Sequence, residues 1–236
     1  MIKQMISHLI PSRLLERIMF LKFKYATVSF SQHGEDTILR DLLWKTKKGF
    51  YVDIGAHHPT RFSNTYWFYR NGWKGINIDA SPGSMKNFRT IRPNDINIEI
   101  GISEKPNVMN FFRFNKPAFN TFSIQLANKY KEQGFKLLDT VKVNTDTLEN
   151  ILDKNFPLGQ TIDFMSIDAE GYDLEVLKSN DWSRFIPKII VIEDNNFSVE
   201  NPYNSPIANF LKEKSYKIIT YTGHTLFLLN NNNYIS

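Results

Sequence analysis

The chain has 236 residues, of which 42% are hydrophobic and 22% charged, and it contains no cysteine. This composition suits a globular domain long enough to bury a core without staples, and it excludes disulfide scaffolds, thiolate metal sites and thiol nucleophiles. The net charge of +5 is concentrated in residues 1–28, where Lys3, Arg13, Arg17, Lys22 and Lys24 stand against Glu16 alone. The rest is nearly neutral and has no basic stripe to track a phosphate backbone, so no nucleic-acid partner is expected.

Residues 1–28 read as a separate piece, ahead of a single domain over 29–236. Met5, Ile6, Leu9 and Ile10, then Leu14, Leu15, Ile18, Met19 and Leu21, recur at helical spacing around Pro11. Pro11, Arg13, Glu16 and Arg17 interrupt what would be the apolar core of a signal peptide. No apolar run approaches the roughly 20 residues that span a bilayer. Two short basic amphipathic helices are expected. They either pack as a capping or homodimer-forming element, or make peripheral contact with a membrane. The expected location is the cytoplasm, with the inner face of the membrane as the surface for such contact.

From residue 50 the pattern alternates strand and helix. Strands are predicted at Phe50–Ile54, Gly75–Asp79 and Ile96–Ile100, with helices at Ser63–Arg70 and Pro82–Arg92. Residues 107–145 are less regular: a strand at Val108–Phe114, a helix near Ser123–Glu132 and a strand at Leu138–Asn144. Thr145 or Asp146 is expected to cap a helix running to Leu152. Then come a strand at Ile162–Asp168, a helix at Asp173–Lys178, a strand at Lys188–Glu193 and a helix at Pro206–Lys214. Tyr216–Tyr221 and Thr225–Leu229 form a closing hairpin around Gly223. Strand–helix alternation means parallel strands joined by crossovers with helices on both faces. The last connection is too short for a crossover, so that pair is antiparallel.

In such a sheet ligands bind beyond the carboxyl ends of the strands, where strand order reverses. That rule selects Asp53–Pro59, Asp79–Pro82, Gly101–Ser103 and Asp168–Gly171. Gly55 permits a tight turn, but a dinucleotide fingerprint needs a second glycine where His57 stands, so a pyrophosphate fits poorly. Asp53 offers a carboxylate to a ligand ammonium, and Asp79 could accept hydrogen bonds from ribose hydroxyls. A cationic nucleoside without phosphates is S-adenosylmethionine. The plainer alternative is that Asp53 and Asp79 only cap the helices that follow.

The runs Ser31-Gln-His-Gly-Glu-Asp36, Gly49-Phe-Tyr-Val-Asp-Ile-Gly-Ala56, Gly75-Ile-Asn-Ile-Asp79 and Ile162–Lys178 together resemble the FkbM family of S-adenosylmethionine-dependent methyltransferases. The resemblance spans about residues 29–197, and Ser166–Leu177 is its most specific block. It implies an α/β, Rossmann-like class I methyltransferase fold with a mostly parallel seven-stranded sheet and a C-terminal antiparallel hairpin. It also implies O-methylation, often of a sugar hydroxyl in a glycan, glycolipid, nucleotide sugar or natural product. The donor contacts expected on this basis are Gln32, Asp53, Gly55, Ala56, His57, Asp79, Ala80, Ser81, Gly101, Ile102, Ser103 and Asp168. His57-His58 departs from the small residues usual after the glycine turn.

Methyl transfer from a sulfonium is an in-line displacement, and a sugar hydroxyl is a poor nucleophile that a nearby base assists. Candidate catalytic residues are Asp168, Glu170, His57 and His58, with His33 reaching in from a lid. Glu170 could instead cap the next helix, and either histidine could simply hold its loop. Asp168, Asp194 and Asn195 would offer three oxygen ligands at neighbouring strand ends, a set that suits Mg²⁺. The irregular 107–145 segment, with Phe119 and Phe122, is the expected acceptor-binding insertion. Two rival functions remain open: a non-catalytic Rossmann-type nucleotide- or sugar-binding module, and an NAD(P)-dependent oxidoreductase, against which His57 argues.

Overall fold

The computed structural model describes residues 25–232; the expected helices of residues 1–28 lie almost wholly outside that range. The elements run α1 (Glu35–Leu42), β1 (Phe50–Ile54), α2 (Tyr66–Arg70), β2 (Lys74–Asp79), α3 (Met85–Ile91), β3 (Ile96–Glu99), β4 (Gly101–Ile102) and β5 (Asn107–Phe114). A 3₁₀ turn at Pro117–Phe119 follows, then α4 (Ile124–Glu132), β6 (Leu137–Asp146), α5 (Leu148–Asn155), β7 (Phe164–Ile167), α6 (Asp173–Lys178) and β8 (Ile189–Glu193). A second 3₁₀ turn at Pro202–Asn204 leads to α7 (Pro206–Glu213), β9 (Tyr216–Tyr221) and β10 (Thr225–Asn230).

Seven strands form the main sheet in the order β3-β2-β1-β7-β8-β10-β9. All pairings are parallel except those of β10, which runs antiparallel between β8 and β9. This is the predicted mostly parallel sheet with a closing antiparallel hairpin. The chain leaves β1 towards β3 and returns on the other side as β7, so the order reverses between β1 and β7 and opens a crevice there.

Period-two alternation decides which side chains each face buries. On β1, Phe50, Val52 and Ile54 join Met165, Ile167, Ile190, Ile192, Leu226 and Leu228 in one core, closed by Leu148 and Leu152 of α5, Val176 of α6 and Leu211 of α7. The opposite face packs Tyr51, Phe164, Val191 and Phe227 against Leu39 of α1 and Phe68 of α2. Helices on both faces explain why the central strands read as continuous apolar runs.

The irregular segment is a small second sheet of order β4-β6-β5. Several boundaries differ from expectation, each for a local reason. Strand β6 runs on to Asp146, so Thr145 and Asp146 lie in the strand and Thr147 caps α5, its side chain accepting from the Asn150 N–H. Helix α3 begins at Met85, after the turn that holds Pro82. Helix α1, unforeseen in the sequence, starts from Gly34 at φ 87° with no side-chain cap and buries Glu35 and Asp36 with Leu39.

Candidate active site

The strand registers place one row of residues across the carboxyl edge of the main sheet. Ile54 pairs with Ile78 and with Ile167, and Ile167 with Ile192. The next position along each strand is therefore Asp79, Gly55, Asp168 and Glu193, and Glu193 pairs in turn with Thr225 of β10. All five residues line a single cleft, with His57, Ala80 and Ser81 on the β2 side and Gln32, His33, Glu35 and His224 on the β8 side. Gly101, Ile102, Phe111, Ala118, Asn120 and Phe122 come from the small sheet and its 3₁₀ turn, so the insertion forms a wall of the cleft.

Gly55 owes its identity to packing. At φ 74°, a Cβ there would lie 1.7 Å from the Asp168 carbonyl oxygen, closer than any side chain permits. His57 also takes a left-handed backbone, at φ 52°, and its N–H donates to the Asp79 carboxylate at 2.9 Å. The other Asp79 oxygen accepts from the Ser81 N–H at 2.8 Å. Asp79 thus ties two loops together and still borders the cleft; it does not cap the following helix, which begins only at Met85. Burial lowers the His57 imidazole, which favours its neutral form, although the Asp79 charge opposes this.

The β7 and β8 ends carry a different chemistry. Asp168 follows the buried strand, and its carboxyl is pushed well above the usual range by desolvation and by the charges of Glu170 and Glu193. Glu170 sits at φ 48° and accepts a hydrogen bond from the Tyr130 hydroxyl of α4 at 2.8 Å. Its carbonyl accepts from Thr121 Oγ1 at 2.7 Å, so the insertion grips this residue at both ends. Burial pushes the Glu170 carboxyl up to about 8, against the pull of the Tyr130 hydrogen bond. Glu170 does not cap the next helix, which has no side-chain cap; Asp173, its first residue, accepts from the Ala169 and Gly171 N–H groups and holds the loop that carries Glu170. Burial raises Glu193 too, opposed by a hydrogen bond from Asn195 and by His224 and His33.

The motif Ser31–Asp36 closes this end. Asp36 accepts from the hydroxyls of Ser29 and Ser31 and from the Phe30 N–H. Glu35 accepts from the His33 N–H at 2.8 Å and from Thr225 Oγ1 at 3.2 Å. The His33 ring stacks on His224 with centroids 4.8 Å apart. His33 therefore does reach the cleft, held by residues from the opposite end of the chain.

Six expected site residues lie elsewhere. Asp53 points to the other face of β1, where its carboxylate accepts from the Thr65 hydroxyl and lies near Arg92. Ala56 is buried against Met85 and Phe88. The His58 ring accepts from the Thr60 and Arg61 N–H groups at 3.2 and 3.1 Å, which holds the loop and turns the ring away from the cleft. Ser103 donates to the Lys105 carbonyl and bonds Thr145. Asp194 is 2% exposed, and its carboxylate is taken by the Ser205 hydroxyl and the Asn196 N–H. Asn195 is exposed and bonds Glu193. The Mg²⁺ set is corrected on this ground: Asp194 faces away from Asp168, and among the described residues no group of three or more His, Cys, Asp or Glu could hold a metal.

The residues missed were Glu193, His224, Thr225, Glu35, Phe62 and Tyr130. Glu193 had a usable signal, since it follows an apolar strand just as Asp168 does. Among the lining residues there is no Lys or Arg, against five carboxylates: Glu35, Asp79, Asp168, Glu170 and Glu193. Such a lining offers a phosphate no Lys or Arg to pair with and offers a cation several carboxyl groups. No described helix is long and apolar enough to cross a membrane.

A family model, the Methyltransferase FkbM domain, matches residues 53–218. No curated protein matches the chain. Similar solved structures include an O-methyltransferase from Bacillus cereus in complex with SAH, at 13% identity and a TM-score of 0.42, covering 97% of this chain and 95% of that one. Another is a methyltransferase from Geobacter sulfurreducens, at 12% identity and TM-score 0.43, covering 97% and 96%. A third is TrmK of M. capricolum in complex with S-adenosyl-homocysteine, at 16% identity and TM-score 0.42, covering 89% and 71%.

Proposed function

The chain belongs to the FkbM methyltransferase family, which makes it an S-adenosylmethionine-dependent methyltransferase, and from that premise we propose that it methylates a hydroxyl oxygen, that of a sugar, with Glu170 as the general base. The observation that carries this reading is Glu170 itself. It is a carboxylate held on the cleft by Tyr130, in a left-handed backbone, with its proton affinity raised to about 8. A base with an affinity near neutral suits removal of a hydroxyl proton, and such assistance is commonly worth about 10²–10⁴-fold.

The donor half of the cleft is the β1–β3 side. Asp79 has lone pairs left for ribose hydroxyls, Gly101 and Ile102 border the space for a base, and Asp168 places a carboxyl group where an ammonium or sulfonium would favour its ionised form. A cleft rich in carboxylates and free of Lys and Arg fits a cationic nucleoside and disfavours the pyrophosphate of a dinucleotide, which weakens the oxidoreductase alternative. The donor supplies an electrophilic methyl group. Glu170 takes the hydroxyl proton while the chain holds that oxygen in line, and alignment is worth several kcal/mol more.

The test is a transfer assay with labelled methyl donor and a panel of hydroxyl-bearing glycans, read by mass spectrometry. Label on a sugar oxygen, lost in Glu170→Gln with donor affinity retained, supports the reading. Label on nitrogen or carbon, or full activity in Glu170→Gln, overturns it.

A further inference from the structure

Resting on that functional reading, we infer that the β7–β8–β10 half of the cleft is an acceptor subsite for an uncharged hydroxylated ring, one that carries no phosphate or carboxylate where it enters. The register row divides the cleft. Asp79 and Gly55 serve the donor side, and beyond Asp168 the row continues through Glu193 to Thr225, further than a donor lying over β1–β3 needs. His33, stacked on His224, closes that end. Glu170, Glu193, His33 and His224 are hydrogen-bonding groups suited to hydroxyls: the carboxylates accept, and each imidazole accepts or donates. An anionic group among them would face the Glu170 and Glu193 carboxyls, with no Lys or Arg in the lining and only the His33 and His224 imidazoles to offset them.

Phe62 supplies the apolar part. It lines the cleft yet is 51% exposed, and its backbone is left-handed at φ 54°. A bulky residue held in that region is strained, and strain of this kind concentrates at ligand clamps. The neighbouring Ser63 N–H donates to the Phe30 carbonyl at 3.0 Å, which fastens the loop beside the Ser31–Asp36 motif and so brings Phe62 to the acceptor side. Its exposed ring can stack on the C–H face of a sugar while the carboxylates take the hydroxyl edge. Arg61 is outside the lining, with its guanidinium 5.3 Å from the Phe62 ring centroid.

Matched pairs test this directly: a hexose and its 1-phosphate, and a methyl hexoside and the corresponding hexuronate. Each is offered to the full chain loaded with S-adenosylhomocysteine, with binding read by saturation-transfer NMR. The neutral member of each pair should bind better by about a hundredfold or more. Phe62→Ala should weaken sugar binding by about tenfold and leave S-adenosylhomocysteine affinity unchanged. Preference for the phosphate or uronate, no binding of any sugar to the loaded protein, or unchanged sugar binding in Phe62→Ala would each overturn the inference. Failure to bind S-adenosylhomocysteine at all would instead count against the functional reading beneath it.

Discussion

Two carboxylate clusters lie on either side of β1, and only one contains its own cation. In the first, Arg92 is fully buried, donates to Asp95 at 2.9 Å, to the Tyr51 hydroxyl at 2.7 Å and to Thr65 Oγ1 at 3.0 Å, and neighbours Asp53. Asp95 also accepts from Tyr51, Asn77 and the Gly75 N–H, so the network is closed by the protein alone. In the second, burial raises the proton affinities of Asp168, Glu170 and Glu193, and the Glu193 charge adds to the rise at both Asp168 and Glu170, beside a cleft lined by no Lys or Arg. The same residue types therefore do opposite things. The first cluster is complete on folding; in the function we propose, the second is completed by a charge or a hydroxyl that a ligand brings.

Breaking the closed cluster should have the largest effect. Arg92→Met leaves Asp53 and Asp95 buried without their cation, and we expect about 3–5 kcal/mol of lost stability by chemical denaturation. A loss under about 1 kcal/mol would show that Arg92 is not the keystone.

The open cluster should respond in the opposite sense. Glu170→Gln should lower kcat by about 10²–10⁴-fold and leave donor affinity nearly unchanged. Its stability should not suffer. A carboxyl raised from 4.5 to about 8 on folding opposes the fold increasingly as pH rises through that window, and does so fully above it. Glu170→Gln should therefore match the parent near pH 4 and melt higher than it at pH 8–9. A variant less stable at pH 9 would place Glu170 among the structural acids.

Asp79→Ala should weaken S-adenosylhomocysteine binding by about 1.5–3 kcal/mol in calorimetry, the worth of hydrogen bonds to a charged group. Unchanged affinity would leave Asp79 with its loop-tying role alone. The smallest effect belongs to Tyr130→Phe. The Tyr130 hydroxyl holds the Glu170 proton affinity down, so without it the acidic limb of the kcat profile should move to higher pH, with the plateau little altered. A limb that stays in place would assign that limb to another group.

The contrast also explains what the sequence could reveal. Apolar runs such as Ile189–Ile192 announced central strands because both faces of the sheet are covered, and the short hairpin connection required an antiparallel pair. Asp53 was misassigned because an acid on a strand looks the same whether its partner is a ligand or a distant arginine; Arg92 reaches it only through the fold. Asp194 was chosen over Glu193 by a one-residue difference, which in a strand reverses the face. Helix α1 escaped because its buried face includes Glu35 and Asp36, which hydropathy reads as exposed. The glycine at 55 was found, but its cause, the Asp168 carbonyl crossing beside it, is a tertiary contact no spacing encodes.

The central claim is that the ligand supplies the positive charge missing from the Asp168–Glu170–Glu193 cluster. Calorimetry of S-adenosylmethionine binding near pH 7, repeated in buffers of different ionisation enthalpy, measures it. One-to-one binding with net proton release is predicted, larger than for S-adenosylhomocysteine, because an arriving sulfonium lowers the proton affinity of Glu170, which burial and the Glu193 charge raise to about 8. Binding without proton release, or release equal for the two ligands, would contradict the account.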